Sequence, residues 1–270
     1  MDDDPSMLNL LVRLLANGTT TVETCGSGGE AIKALAAKPF DLVLLDVGLP
    51  DFSGLEILNA FATSYPATRF LIITADDTAQ TVMDSVRGHA FGYLRKPFTP
   101  DQLRTLVEET IAAPPDPQIV VVSARPEWFE LSLPCTRAAA NRIDNFVQQL
   151  ELDVTDDIRD MVAQAFRELL MNAVEWGGGL DPSRRVRVAC LRTKRMLLYR
   201  IADPGPGFRF EELKHAAAGQ AAGDSVAHMA VREAKGIRPG GLGILMVRAF
   251  ADELLYNERH NEVVFIKYLE

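Results

Sequence analysis

The sequence predicts two domains in series: an α/β domain on a doubly wound parallel sheet, then an α+β domain whose sheet is covered by helices on one face. Three observations predict this. Residues 1 to 112 alternate helix-period and strand-period segments, the pattern of a parallel sheet with helices on both sides. Ala112 to Gln118 (AAPPDPQ) is Pro-rich and reads as a short, semi-rigid linker. Beyond it strands and helices are segregated, and one long helix carries a carboxylate and an amide on its apolar arc. A length of 270 residues makes two domains the natural expectation, here 1–112, a linker at 113–118, and 119–270.

In the first domain Pro5 to Ala16 has amphipathic helical spacing, Thr20 to Cys25 reads as a short strand, and Gly28 to Ala37 as a helix. Asp41 to Leu45 is a buried strand running into Asp46. Leu55 to Ser64 is helical, Arg69 to Thr74 (RFLIIT) a buried strand, and Ala79 to Gly88 helical. Gly92 to Arg95 is a short strand and Pro100 to Ala112 the last helix. In such sheets chemistry collects at the carboxyl ends of the strands. Those ends hold Asp46, Thr74 and Lys96, with Asp2 and Asp3 near the start. Clustered carboxylates suit a hard, oxygen-seeking cation such as Mg²⁺. An aspartate beside such a metal can accept a phosphoryl group while Lys96 neutralises the incoming charge.

Asp46 followed by Gly48-Leu49-Pro50, then Thr74-Ala75, then Lys96-Pro97-Phe98, resembles the receiver domain of two-component response regulators, a flavodoxin-like fold. The resemblance implies that Asp46 is the phosphoacceptor, that Asp3 ligates Mg²⁺ with Asp2 assisting, and that Gly48 offers a backbone carbonyl. It implies that Thr74 senses the phosphoryl group and that Tyr93 is the switching aromatic, filling the space Thr74 vacates. An upstream histidine kinase would be the phosphodonor. In one respect the chain departs from the family. Receivers begin with an apolar central strand that ends in the acidic pair, and here only Met1 precedes Asp2. Five apolar side chains make such a strand worth about 7–15 kcal/mol, against a whole-domain stability of about 5–15 kcal/mol. Either a start upstream supplies it, or Ile119 to Val122 enters the gap between the segments holding Val22 and Val43.

In the second domain Ile119 to Ser123 and Trp128 to Leu133 are strands around a turn at Arg125-Pro126, and Thr136 to Leu150 is an amphipathic helix. Thr155 to Gly179 reads as one helix, with Thr155 as N-cap, Asp156 and Asp157 in the positive first turn, and glycines at its end. Ile158, Met161, Val162, Ala165, Phe166, Leu169 and Ala173 form its stripe. Asn172 falls inside the stripe and Glu168 beside it, costly positions unless a ligand or backbone satisfies them. Val186 to Arg192 and Met196 to Ala202 read as an antiparallel pair, and Phe210 to Pro239 as a polar lid. Gly243 to Leu254 is helical, and Leu255-Tyr256 with Val263 to Tyr268 closes the sheet.

Two Gly-rich turns complete the pattern: Ile201 to Phe208 (IADPGPGF) and Arg238 to Val247 (RPGGLGILMV). Glycine lets backbone approach a ligand, and a helix N-terminus favours phosphate. The ordered set ELLMNA, DPGPG and GGLG resembles the N, G1 and G2 boxes of GHKL ATPases, and the region from Glu127 onward resembles the anti-sigma-factor serine kinases. That implies a Bergerat-type sandwich using ATP and Mg²⁺, with a small anti-sigma-factor antagonist or a sigma factor as partner. Carried over, Asn172 ligates Mg²⁺ and Glu168 is the general base toward a substrate hydroxyl. Asp203 accepts from the adenine amino group, Gly205 and Gly207 shape that pocket, and Gly241 and Gly243 bring backbone amides to the phosphates. A second reading is a nucleotide-dependent switch that sequesters a partner without phosphorylating it; Glu168 favours the enzyme, since binding alone needs no base.

Composition narrows the classes. The net charge is −9, of which 15 acids against 8 bases place −7 in residues 1–115. That acidity opposes direct nucleic-acid binding. No apolar run approaches the ~18 residues of a membrane span and no signal pattern is present, so a cytoplasmic location is expected. Cys25, Cys135 and Cys190 lack metal spacing and read as reduced structural thiols. Arg184, Arg185, Arg187, Arg192, Lys194 and Arg195 read as a solvated hairpin surface, with a docking surface for an acidic partner as the alternative. His89, His215, His228 and His260 have no metal spacing, and none precedes the long helix within the second domain, which opposes a self-phosphorylating histidine kinase. A homodimer is compatible with all of this.

Overall fold

The computed structural model describes residues 1–76, 78–112, 119–125, 127–150, 154–208 and 243–269. The chain divides into two compact units, Met1–Asp116 with Asn145–Glu151, and Pro117–Asp144 with Leu152–Glu270. The linker 113–118 and the lid stretch 210–239, with Gly241, lie outside the described residues.

The first unit runs α1 (Pro5–Leu15), α2 (Gly28–Ala37), β1 (Leu42–Leu45), α3 (Gly54–Phe61), β2 (Arg69–Thr74), α4 (Ala79–Arg87), β3 (Gly92–Arg95) and α5 (Pro100–Ala112). The strands form a parallel sheet in the order β1-β2-β3, pairing Val43 with Phe70 and Ile72 with Tyr93. Side chains at the helix starts fix the loops. Asp4 caps α1 through the Ser6 N–H at 2.8 Å, with Pro5 in the first turn. Ser53 and Glu56 form a capping box on α3. Asp51 accepts from the N–H groups of Gly28 and Gly29 at 2.7 and 2.8 Å, tying the start of α2 to the loop after β1. Leu11, Leu71, Ile73, Leu94, Leu103 and Val107 form a core between the sheet and the α1/α5 layer.

Two expectations are corrected here. Thr20 to Cys25 forms no strand. A strand exists through its ladder, and along this segment only the Cys25 carbonyl bonds across, to the Asp2 N–H at 3.1 Å. Nor does Ile119 to Val122 enter the gap. Val120–Arg125 (β4) pairs antiparallel with Trp128–Pro134 (β5) instead, a ladder between neighbouring segments that satisfies its backbone locally.

The second unit is a six-stranded sheet in the order β4-β5-β6-β7-β9-β8, with β6 at Arg185–Arg192, β7 at Met196–Ala202, β8 at Glu253–Tyr256 and β9 at Glu262–Tyr268. Among the described residues its helices are α6 (Arg137–Gln148), α7 (Asp156–Asn172) and α8 (Gly243–Phe250). Phe166 of α7 packs on Tyr199 of β7 with ring centroids 4.8 Å apart, anchoring the helix to the sheet. Val162, Ala165, Phe166, Leu169 and Ala173 are buried as the stripe requires, whereas Met161, near the start of α7, is 39% exposed. Thr155 holds the extended backbone of an N-cap but makes no side-chain cap bond. The helix changes to a π-turn over Ala173–Gly177, immediately after Asn172, a widening that recurs at functional sites. The helix after the second Gly-rich turn ends at Phe250, shorter than expected, because Glu253 to Tyr256 leaves to pair with β9. All three cysteines are free and buried.

Candidate functional site

Each unit brings one set of predicted residues together. In the first, Asp46 follows β1, Thr74 ends β2 and Lys96 follows β3, so the parallel sheet delivers all three to one edge. Met1 completes the corner. Its amino group donates to the Leu44 carbonyl at 2.9 Å and its carbonyl accepts the Asp46 N–H at 3.1 Å, which sets Asp2 beside Asp46. Lys96 Nζ bonds Asp2 Oδ2 at 2.6 Å and Asp46 Oδ2 at 2.5 Å. Burial alone would lower the ammonium's pKa; the hydrogen bonds and charges of the two carboxylates outweigh it and hold Lys96 above its ordinary value. One oxygen from each of Asp2, Asp3 and Asp46 lies within 4.8 Å of the others. Asp2 and Asp46 are buried and Asp3 is exposed. Three hard oxygen donors at one corner fit Mg²⁺ with room for water or phosphate oxygens.

Gly48, expected to offer a carbonyl, donates its N–H to Asp46 Oδ1 at 3.1 Å. Gly54 allows the start of α3 to press on the Asp46 peptide, where a Cβ would strike the carbonyl. Thr74 is 3% exposed, and its hydroxyl accepts the Asp76 N–H at 3.3 Å. Tyr93 is fully buried, with its hydroxyl donating to the Asp76 carbonyl. The aromatic ring is therefore already inward, and no inward swing is needed to fill space beside Thr74.

In the second unit Glu168, Asn172, Asp203, Gly207 and Gly243 line one cavity of about 270 Å³. Helix α7 presents Glu168 and Asn172 one turn apart. A Cβ at Gly243 would collide with the Glu168 carboxylate, so the glycine at the start of α8 permits that approach. Gly177, where the π-turn ends, likewise leaves room for the Asp203 side chain. Asp203 accepts the Gly205 N–H at 2.7 Å. Its pKa is raised, first by burial, against the opposing Gly205 bond and the charge of Arg184.

Asn261 and an aromatic wall were missed from sequence, while Gly207 was expected. Asn261, in the β8–β9 turn, donates to the carbonyls of Asp203 and Gly205 at 3.2 and 3.1 Å and so fixes the DPGPG turn. Gly207, at φ +83°, lies against the Arg259 carbonyl, where no side chain fits. Phe208, Tyr256 and His260 form an aromatic wall with centroids 5.4 to 5.8 Å apart, and Trp176 lines the same cavity. Their convergence depends on strand register, pairing Ile201 with Val263, and no local motif announces it.

Comparison with known proteins finds a domain match for each part of the chain. A response regulator receiver domain model matches residues 1–108, and a histidine kinase-like ATPase domain model matches residues 133–267, half of the chain. The chain belongs to the histidine kinase-like ATPase family and carries a response regulator receiver domain. The DNA-binding transcriptional regulator NtrC of Escherichia coli strain K12 is 35% identical over 112 residues, 42% of this chain and 24% of that protein. The response regulator protein PilR of Pseudomonas aeruginosa is 35% identical over 107 residues, 40% of this chain and 24% of that protein. This chain thus spans about a quarter of the length of the curated relatives it matches. Among solved structures, a CheY-like receiver domain protein from Methanospirillum hungatei JF-1 aligns with a TM-score of 0.40 at 26% identity, over 41% of this chain and 88% of that one. Among the described residues no helix is long and apolar enough to cross a membrane.

Proposed function

We propose that phosphorylation of Asp46 controls an ATP-dependent serine kinase of the anti-sigma type, acting on a small serine-bearing anti-sigma-factor antagonist. The observation that carries the kinase reading is the convergence of Glu168, Asn172, Asp203 and Gly243 on one cavity. In this reading Asp203 and the Gly205–Gly207 turn receive adenine, and the amides at the start of α8 face the phosphates. Glu168 takes the proton of the substrate serine as its oxygen bonds the γ-phosphorus, and the bond to the β,γ-bridging oxygen breaks to release ADP. Asn172 holds Mg²⁺, which supplies charge neutralisation for the phosphates. In the receiver, Asp2, Asp3 and Asp46 hold the second Mg²⁺. An Asp46 oxygen bonds the incoming phosphorus as the donor's phosphoramidate bond breaks, and Lys96 balances the transferred charge.

The test is transfer from labelled ATP to candidate antagonists, with calorimetry of ATP binding. Glu168→Gln is expected to keep ATP affinity and lose about 10²–10⁴ in transfer rate. Asn172→Ala and Asp203→Asn are expected to weaken ATP binding. Unchanged affinity in both would remove the nucleotide assignment. A wild-type chain that binds ATP yet labels no serine-bearing antagonist would hand the function to nucleotide-dependent sequestration of a partner.

A further inference from the structure

An antiparallel sheet with helices on one face alternates along each strand, apolar toward the helices and polar away from them. One face of the sheet in the second unit follows that rule. Phe129, Cys190, Tyr199 and Phe265 stand opposite one another on it. Phe166 of α7 packs on Tyr199, and Phe250 of α8 stacks on Phe265. The other face breaks the rule. β7 opens with Met-Leu-Leu and β9 carries Val-Val-Phe-Ile, so both strands are apolar outward as well as inward. Register sets Trp128, Leu191, Leu198 and Ile266 side by side across four strands. Val264 with Leu255 flanks this row on one side, and Met196 with Tyr268 on the other. Trp128, Leu191, Leu198 and Val264 are partly exposed, and Leu255 and Tyr268 are 53% and 50% exposed. Contiguous exposed apolar surface of this kind marks an interaction site.

The charges around the patch are unbalanced. Arg200 holds Glu262 through two bonds of 2.8 and 2.9 Å, and Glu253 accepts the Tyr268 hydroxyl. Three bases at the rim have no such engagement. Arg125 lies opposite Trp128, and Lys194 and Arg195 form the turn before Met196. All three are exposed and make no ion pair among the described residues. We propose that this face docks an acidic amphipathic helix of a partner protein, with apolar side chains on the row and carboxylates toward Arg125, Lys194 and Arg195. A helix suits the surface because an apolar sheet face is buried by the apolar stripe of a helix. Its length follows from the row: Trp128 to Ile266 spans three inter-strand spacings of about 4.8 Å, roughly 14 Å, which about ten helical residues cover at about 1.5 Å each. An anionic lipid surface is a poorer match, since Glu130, Glu253 and Glu262 share the face and would be pressed against like charge. The nucleotide cavity is lined from the opposite face, by Ile201 and Val263, so docking and nucleotide binding are compatible.

The experiment titrates the full chain against two fluorescently labelled peptides and reads anisotropy. One is acetyl-Glu-Leu-Leu-Glu-Glu-Leu-Leu-Glu-Glu-Leu-Leu-Glu-amide; its twin has Lys at every Glu. The acidic peptide is expected to bind at least about tenfold more tightly than its twin and to weaken as salt is raised. Leu198→Glu and the double variant Lys194→Glu/Arg195→Glu should each lose about tenfold or more of that affinity. The double variant changes only an exposed turn and should melt like wild type, so it decides alone if Leu198→Glu fails to fold. Absent binding of the acidic peptide, equal binding of the two peptides, or binding untouched by the double variant would overturn the proposal. Co-sedimentation with phosphatidylcholine vesicles containing about 25% phosphatidylserine, lost in Leu198→Glu, would give the face to a membrane instead. A dimer in analytical ultracentrifugation that Leu198→Glu dissociates would give it to a second copy of this chain, and either result would overturn the acidic helix.

Discussion

Lys96 holds the receiver corner together by bonding two carboxylates that would otherwise repel. Its side chain is 17% exposed and those of Asp2 and Asp46 are 2% and 9%, so the bonds lie largely out of solvent. Lys96→Met leaves two adjacent carboxylates without their cation and is expected to destabilise the first unit by about 3 kcal/mol at pH 7, the lower end for removing one partner of a buried pair. The pH dependence has a definite sign. The folded-state pKa lies above the ordinary 10.5, so between those values the native state binds more protons than the unfolded state. The stabilisation is therefore fully present below pH 10.5 and is lost as pH rises through the folded value. Urea unfolding of wild type and Lys96→Met should give a gap that is constant from pH 7 to 10 and closes above it; a gap that persists unchanged at pH 12 would contradict the assignment. At this scale the sequence was largely legible. Asp46, Thr74 and Lys96 each end a strand-period run, and a parallel sheet must bring such ends together. Asn261 and His260 were not legible, since each acts through residues more than fifty positions away.

Among the elements, the long helix, the buried strands and the hairpins were readable because period and turn residues agree locally. Thr20 to Cys25 misled for the opposite reason: its strand-like composition specifies a surface to be paired, and pairing is non-local. The π-turn after Asn172 had no sequence signal beyond the glycines that follow it. The β8–β9 turn supplies a prediction of its own. Asn261 joins it to the DPGPG turn by two hydrogen bonds to carbonyls, each worth about 1 kcal/mol. Asn261→Ala is expected to cost about 2 kcal/mol in stability and to weaken ATP binding, because Asp203 and Gly205 lose the clamp that sets their backbone. Asn261→Asp keeps the shape but cannot donate, and should behave like the alanine variant. Thermal melts with calorimetry would check both, and an unaltered ATP affinity in Asn261→Ala would show that the turn holds its shape unaided.

In the whole molecule, the proposed phosphoacceptor corner and the proposed nucleotide cavity stand on one chain, and the expected relation between them is control. Phosphorylating Asp46 replaces one carboxylate charge with a phosphoryl group of about 1.5 to 2 negative charges, a net gain of up to about one, beside Thr74 and Lys96. With Tyr93 already buried and bonded to the Asp76 carbonyl, the modification is expected to lock this arrangement rather than create it: Thr74 leaves the Asp76 N–H to donate to the phosphoryl group. Local charge acts at a distance only by biasing a two-state element, and Thr74, through its bond to the Asp76 N–H, is where that bias is expected to start. Covalent linkage raises the effective concentration of one unit around the other, so a weak contact suffices. A shift from 1:99 to 99:1 would need about 5.5 kcal/mol, and a tenfold change in rate only about 1.4. The measurement is serine-kinase or ATPase rate with and without acetyl phosphate and Mg²⁺, in wild type and Asp46→Asn. Wild type is expected to change rate by tenfold or more when phosphorylated, while Asp46→Asn stays at the unphosphorylated value under every condition. Tyr93→Phe, which loses the bond to Asp76, should respond to acetyl phosphate with a smaller amplitude. Equal rates in wild type with and without a demonstrated phosphoryl group on Asp46 would leave the receiver as a phosphate sink, with the kinase unit running independently of it.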